Sequence, residues 1–148
     1  MNVKKWYVYI IGIALMLTGC TLERTVDSEL DGFWQLEQIE DLDSGEKTDM
    51  HESGLYWTVQ MRLLEVWNTN KNMFHESVFF RFSREGNVLT LSEPYYDYRN
   101  KGDIKIEDAS ELNRYYIYNL EERFTVEVLT GSTLQLKNER IRFFFRRY

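Results

Sequence analysis

Alternation between apolar and polar residues is the dominant pattern of this chain after residue 31. In residues 56–63, Trp57, Val59, Met61 and Leu63 fall on one side and mostly polar side chains on the other. A period of two is typical of a β-strand that packs one face on a core. The pattern therefore predicts a half-buried strand at the centre of the fold.

This strand is predicted to continue to residue 67, although its inward side changes near Leu63 and Leu64. A β-bulge would produce such a change. Similar alternation predicts strands around residues 33–39, 78–84, 88–92, 124–128, 134–136 and 140–148. Their inward positions are Trp34, Leu36, Val78, Phe80, Phe82, Leu89, Leu91, Phe124, Val126, Val128, Leu134, Leu136, Ile141, Phe143 and Phe145.

Residues 108–115 have a different pattern, which predicts a short helix. Asp108 is a suitable N-cap, and Glu111 three residues later completes a capping-box arrangement. Leu112 and Tyr115 or Tyr116 would supply its buried stripe. The segments together predict a mainly β protein, a small antiparallel β-barrel of seven or eight strands with one short late helix.

The interior of such a barrel is either filled by its own side chains or wide enough for one small ligand. Hydrophobic residues make up 43% of the 148-residue chain and aromatic residues 16%, enough for the core of one domain. Both alternatives stay open because the inward side chains are bulky. The candidate ligand-facing residues are Trp57, Val59, Met61, Phe80, Phe82, Phe124 and Phe143.

A second candidate site is a loop predicted over residues 94–100. It contains Tyr95, Tyr96 and Tyr98 beside polar residues. Such tyrosines can stack on a sugar or contact another polar partner at a barrel mouth. The alternative is that they pack over the open end of the barrel as a lid.

The N-terminus has the features of an export signal. Lys4 and Lys5 precede an apolar run over residues 6–17, and Leu-Thr-Gly-Cys follows at residues 17–20. This motif resembles the lipobox of bacterial lipoproteins, which implies acylation of Cys20 and removal of residues 1–19. We expect residues 20–31 to be a lipidated tether and residues 32–148 to be the barrel domain. The alternative, a buried Cys20 at the end of an uncleaved anchor, would need a longer apolar run.

Net charge limits the partners of this domain. Removal of residues 1–19 takes away two lysines and no acids, so the net charge changes from −6 to −8. An acidic body argues against nucleic acid and against electrostatic attachment to anionic lipid. The expected membrane contact is therefore made by acyl chains on Cys20.

The first and last strands carry a further resemblance. Gly32-Phe33-Trp34 is similar to the Gly-x-Trp opening of lipocalins. The resemblance implies that Trp34 closes one barrel end and is covered by an arginine of the last strand, here Arg147. The alternative is an ordinary buried tryptophan. With the lipobox, the chain resembles lipocalin-like (calycin-type) lipoproteins of gut-dwelling Gram-negative bacteria, although the Thr-Asp-Tyr motif of lipocalins is not evident.

Enzyme chemistry has little support in the sequence. His51 and His75 lack metal-type spacing, and neither a nucleophile-elbow motif nor a phosphate-binding glycine loop occurs. The acidic segment 41–49 has its glycine at position five, where a calcium loop needs it at position six. We expect no enzymatic activity, no metal and no cofactor.

Two functions follow from these predictions. In the first, the barrel binds a small apolar or amphipathic ligand in its interior. In the second, the barrel is solid and docks an envelope protein or a glycan through its loops. The expected location is the cell envelope, with the lipid in the outer membrane and the domain in the periplasm.

Overall fold

The fold is a ring of antiparallel strands. The computed structural model describes residues 27–70, 77–98 and 101–148, so the predictions for residues 1–26, including Cys20, and for His75 lie outside the described residues. The strands are β1 (Gly32–Asp41), β2 (Lys47–Asp49), β3 (Leu55–Gln60), β4 (Leu63–Asn68), β5 (Val78–Glu85), β6 (Val88–Tyr98), β7 (Gly102–Lys105), β8 (Glu122–Leu129), β9 (Thr133–Lys137) and β10 (Ile141–Arg147).

Eight of these strands form the closed wall. Their order is β10-β9-β8-β6-β5-β4-β3-β1, and pairing of β1 with β10 completes the ring. The two short strands lie outside this path, β2 on β1 and β7 on β6. The predicted antiparallel barrel is confirmed. Ring closure leaves only the short strands β2 and β7 with a free edge among the described strands, and long free edges would be sites of aggregation.

The long central strand of the prediction is in fact two strands. β3 and β4 form a hairpin in which Gln60 pairs with Leu63, and Met61 in the turn adopts a positive φ of 57°. The hairpin explains the change of inward side near Leu63, for which a bulge was predicted. A methionine at positive φ is uncommon. Such turns usually contain glycine or asparagine, and because neither is present here, the turn could not be predicted from the sequence.

The predicted tyrosine loop is also wrong, because β6 runs through Pro94 to Tyr98. The register of β6 with β5 shifts between the Ser92–Arg81 pair and the Tyr95–Phe79 pair. Glu93 lies between these pairs and has a φ of 51°. This is a β-bulge, one of the few positions in a sheet where proline is tolerated. The bulge changes the inward side of the strand, so Tyr96 becomes buried.

The late helix is confirmed as a 3₁₀ helix over Ala109–Tyr115. Asp108 caps it, because its carboxylate accepts a hydrogen bond of 2.9 Å from the Ser110 amide. The Glu111 carboxylate does not serve the predicted capping box. It accepts a hydrogen bond of 3.0 Å from the Tyr96 hydroxyl and so ties the helix to β6. A shorter 3₁₀ turn lies at His51–Ser53.

The barrel interior is filled with aromatic rings around Trp57. The Trp57 ring centroid lies 4.9 Å from that of Phe145, 5.5 Å from Phe124 and 6.0 Å from Phe143. Phe124 and Phe143 also contact each other edge to face at 5.6 Å. These separations are typical of favourable aromatic pairs, so the rings themselves are the core.

On the outer face, Arg142 of β10 links two carboxylates. Its guanidinium lies 2.7 Å from Glu127 of β8 and 3.0 Å from Glu40 of β1. The hydrogen bonds from Arg142 lower the pKa of Glu127 from 4.5 to about 2. A carboxylate with a lowered pKa stabilises the fold above its unfolded pKa and loses that contribution as it becomes protonated.

Glu127→Gln is therefore expected to lower the free energy of unfolding above pH 4.5, where the native carboxylate is ionised. The difference from the parent should shrink as the pH falls from 4.5 towards 2, because the parent loses the same charge. Urea unfolding at a series of pH values measures this. A difference that stays constant over the range would contradict the pairing.

Candidate functional site

The predicted barrel-end pair is brought together. The Arg147 guanidinium carbon lies 4.5 Å from the centroid of the Trp34 ring. Trp34 Nε1 donates a hydrogen bond of 2.7 Å to the carbonyl of Leu30, and Arg147 donates one of 2.7 Å to the carbonyl of Glu29. The first strand, the last strand and the chain before β1 are thus joined at one end of the barrel.

Residues 27–31, expected in the tether, pack against this barrel end. Leu30 is fully buried, and the Asp27 carboxylate pairs with Arg84 of β5. Arg84 also lies 2.9 Å from Glu29. Gly32 then leads into β1 with a φ of +135°, a conformation that favours glycine. Residues 27–31 therefore belong to the folded domain.

The residues predicted to face a ligand in the interior are core residues, with one exception. Trp57, Val59, Phe80, Phe82, Phe124 and Phe143 are between 0% and 7% exposed. Met61 is 49% exposed because it lies in the β3–β4 turn, so its predicted interior position is wrong. Since the six inward side chains pack on one another, they form the filling of the barrel.

A cleft of about 380 Å³ lies on the outside of β3, β4 and β5. Two rows of residues that pair across the strands form its floor. In one row Glu65 pairs with both Thr58 and Phe79, and in the other Gln60 pairs with Leu63. The lining residues are Thr58, Gln60, Met61, Arg62, Leu63, Glu65 and Phe79. The volume is within the range of about 300 to 1,000 Å³ typical of small-ligand sites.

Aromatic pairs lie on both sides of this outer cleft. Tyr56 stacks on Trp67 with a centroid distance of 5.1 Å, and Trp67 Nε1 donates a hydrogen bond of 2.8 Å to the Thr58 hydroxyl. On the other side, Phe79 stacks on Tyr95 at 5.7 Å. Phe79 is itself a lining residue, and the Trp67 hydrogen bond couples that indole to a second lining residue, Thr58.

The outer cleft combines apolar surface with two charges of opposite sign. Met61, Leu63 and Phe79 supply the apolar part, and Arg62 and Glu65 supply the charges. Within the described part of the chain, neither charged group has an ion-pair or hydrogen-bond partner. Such a cleft suits an amphipathic molecule whose polar head meets the charged groups.

The three tyrosines of the predicted loop do not form one site. Tyr96 is 5% exposed and packs on Tyr98 with a ring distance of 5.7 Å, whereas Tyr95 faces outwards. Burial, followed by the hydrogen bond to Glu111, raises the pKa of Tyr96 to about 12. Tyr96 is therefore a neutral structural group, and the proposed loop contact loses its basis.

The outer cleft was missed in the sequence because its residues lie on outward positions of three strands. Alternation assigned Thr58, Gln60 and Arg62 to the wet side, and the β3–β4 turn was not recognised. One signal was present, since Phe79 is a large apolar residue at an outward position of β5. Its neighbours across the sheet follow only from the strand register.

Metal-binding clusters and membrane-spanning helices are two further features to consider. In the described ranges, no group of three or more histidine, cysteine or acidic side chains is placed to hold a metal ion. Within the same ranges, no helix has the length and apolar character needed to span a bilayer.

A closed antiparallel barrel, with a Gly-x-Trp strand whose tryptophan lies under an arginine of the last strand, defines a protein of lipocalin-like class. The sequence agrees with this class, because a model of the lipocalin-like domain family matches residues 15–148. The chain belongs to that family. No curated protein matches it significantly.

Solved structures show the same fold. A lipocalin-like protein from Bacteroides uniformis has a TM-score of 0.63 at 19% identity, over 82% of this chain and 100% of that one. An uncharacterized protein from Bacteroides eggerthii has a TM-score of 0.59 at 19% identity, over 80% and 98%. A protein from Burkholderia xenovorans has a TM-score of 0.51 at 12% identity, over 80% and 82%.

Proposed function

We propose that this protein is a lipid-anchored envelope protein that binds a small amphipathic ligand on the outside of a solid barrel. The observation that carries the proposal is the contrast between the two candidate sites. Inside, Trp57 and Phe143 are at most 1% exposed, whereas the outer cleft offers about 380 Å³. Binding inside would require the aromatic core to open, and binding outside would not.

The anchor part of the proposal rests on the lipobox-like residues 17–20. Acyl chains on Cys20 would hold the domain at a membrane, because each buried methylene contributes roughly 0.8 kcal/mol and two or three chains give stable attachment. The proposed location is the periplasmic face of the outer membrane. Residues 21–24 carry neither an acidic run nor an aspartate after the cysteine, features associated with other destinations.

The lining of the outer cleft defines the class of ligand. An alkyl chain would lie on Met61, Leu63 and Phe79, and burial of its methylenes would supply the main driving force. A head group with both an anionic and a cationic part would meet Arg62 and Glu65. A single-chain zwitterionic amphiphile matches both requirements. The alternative, docking through a tyrosine loop, loses support because Tyr96 is buried.

Met61→Glu with Leu63→Glu is expected to weaken amphiphile binding by at least about tenfold, a free-energy change of about 1.4 kcal/mol. The substitutions place two acids on the apolar floor of the cleft. Binding is measured by titrating the acyl-free chain, from residue 21, with decylphosphocholine below its critical micelle concentration and recording tryptophan fluorescence.

The matched control is Ile104→Glu, which adds an acid at a 44% exposed apolar position outside the cleft. This variant should bind like the parent. Equal weakening in both variants would show a nonspecific charge effect and count against the outer cleft as the site. Absence of any binding by the parent would also count against the ligand proposal.

A further inference from the structure

Exposed apolar side chains are concentrated at one end of the barrel. This end, which we name the tether rim, contains the start of β1, the end of β10 and the β3–β4, β5–β6 and β8–β9 turns. Five of the seven exposed large hydrophobic residues in the described ranges lie there. They are Phe33, Met61, Val88, Val128 and Tyr148. Val128 was predicted to face inwards, and that prediction is wrong because the register of β8 with β9 shifts between Val126 and Val128.

The strand register places these residues at a common end. Gly32 at the start of β1 pairs with Val59, two residues before Met61, while Trp34 pairs with Arg147 near the end of the described chain. Because β4 begins at this end and pairs antiparallel with β5, the β5–β6 turn lies there too. The five residues therefore lie around one end instead of being scattered over the wall.

Charge has the opposite distribution. The turns and caps at the other end carry an excess of acids, among them the exposed Asp43, Glu46, Glu52, Asp108 and Glu139, over exposed bases such as Lys47, Lys101 and Arg140. At the tether rim, by contrast, the exposed acid Glu85 lies near Arg84, which pairs with both Asp27 and Glu29, so the excess of acids is smaller. An anionic lipid surface would repel the acidic end and admit the tether rim.

The chain enters the barrel at this same rim. Asp27 is the first described residue and lies against β5, and Cys20 is seven residues earlier in the sequence. Seven residues span at most about 25 Å even when fully extended. If Cys20 is acylated, as the proposed function holds, the tether rim is the part of the barrel that the anchor keeps nearest the lipid.

We propose that the tether rim docks on the lipid surface, with Phe33, Met61 and Tyr148 immersed at the interface. Tyrosine is suited to this position because one end of its ring is apolar and the other is polar. The occupant is a bilayer, not a protein, since the short tether and the charge distribution both direct this end to lipid. The outer cleft begins at Met61, so this orientation also places its opening beside the membrane.

The test uses the full chain, purified from membranes as the cell processes it, in vesicles of phosphatidylethanolamine and phosphatidylglycerol. Met61→Cys, Tyr148→Cys and the control Asp43→Cys are each labelled with an environment-sensitive fluorophore. The only native cysteine is Cys20, whose thiol does not react with the label when it carries the lipid. Labels at 61 and 148 should be quenched by spin-labelled phospholipid and protected from aqueous iodide. The label at 43 should show the reverse.

Mass analysis of the N-terminal peptide separates the two proposals. An acylated peptide together with labels at 61 and 148 that behave like the label at 43 would overturn the docked orientation alone. An unacylated peptide would overturn the anchor and, with it, this orientation. Acylation with lipid-specific quenching at 61 and 148 supports both.

A second set of variants tests whether the apolar rim causes the orientation. Phe33→Ser with Tyr148→Ser should make a label at Val88→Cys accessible to iodide while the protein stays on the vesicles. Ile104→Ser with Leu120→Ser changes the two exposed large hydrophobic residues that lie outside the rim in the described ranges, and it should leave that label protected. Equal iodide access in the two double variants would contradict a role for the rim.

Discussion

Trp57→Ala is expected to lower the free energy of unfolding by about 3–5 kcal/mol, the cost typical of removing a large buried aromatic ring. The indole is 1% exposed, and its ring lies within 6.0 Å of the ring centroids of Phe124, Phe143 and Phe145. Its removal would leave a cavity at the centre of a packed interior. Urea denaturation measures the loss.

Trp57→Phe is the control for this substitution. In the described structure Trp57 Nε1 is buried and has no hydrogen-bond partner. Phenylalanine therefore keeps most of the ring volume without sacrificing a hydrogen bond, and its cost should be well below that of alanine. A loss of less than about 1 kcal/mol for Trp57→Ala would contradict a filled barrel, because surface substitutions typically cost no more than this.

Arg147→Ala is expected to lower the free energy of unfolding by about 2 kcal/mol. A cation over an aromatic face contributes roughly 0.5 to 2 kcal/mol, and loss of the hydrogen bond to the Glu29 carbonyl adds to this. Both contacts lie where the first and last strands close one end of the barrel. Thermal or urea unfolding of the variant measures the effect.

Arg123→Ala is the matched control, because Arg123 is 74% exposed and its 3.5 Å ion pair with Glu121 is on the surface. Surface pairs of this kind typically contribute between 0 and 1 kcal/mol. A double-mutant cycle between Arg147→Ala and Trp34→Phe then isolates the coupling of the two side chains. An equal decrease in the free energy of unfolding in the two arginine variants would contradict a specific stabilising role of Arg147.

Much of the barrel was predictable because one face of each strand is buried. The alternating positions of β5, such as Phe80 and Phe82, and of β10, such as Phe143 and Phe145, are inside as expected. The errors occur where the backbone changes direction without the usual turn residues. Met61 adopts positive φ without being glycine, so the β3–β4 turn left no signal in the sequence.

Pro94 gave a misleading signal, since proline more often ends a strand than continues it. The bulge at Glu93 places the proline where the ladder tolerates it, and a bulge depends on the partner strand. The tyrosines that follow were therefore predicted in a loop. Their positions in β6 follow from pairing with β5 and β7, which alternation in one segment does not show.

The candidate sites differ in how far the sequence could reveal them. The resemblance to lipocalins predicted a contact between Trp34 and Arg147, which are more than a hundred residues apart in the sequence. Composition and spacing alone would not have predicted this contact. The outer cleft required knowledge of which outward residues are neighbours. Thr58, Glu65 and Phe79 come from three strands and meet only because of the register.

A filled interior bears on which surface of this lipocalin-like barrel the proposed ligand would contact. An eight-stranded barrel can hold one small ligand or be filled by its own side chains, and here the aromatic core occupies the interior. Ligand contact is then expected on the wall, and the lipid contact at the tether rim. Met61 belongs to both proposed surfaces, the outer cleft and the tether rim. The β3–β4 turn is therefore expected to contact both the ligand and the lipid.

The most direct test of a solid barrel with an outer site is NMR of the tryptophan indole N–H groups during a titration with decylphosphocholine. The Trp67 indole N–H donates a hydrogen bond to Thr58 in the cleft lining, so its signal reports on the outer cleft. The Trp57 indole is buried, so its signal reports on the barrel interior. We predict that the Trp67 signal shifts with added amphiphile while the Trp57 signal stays in place. A shift of Trp57 with Trp67 unchanged would contradict the account and place the ligand inside the barrel.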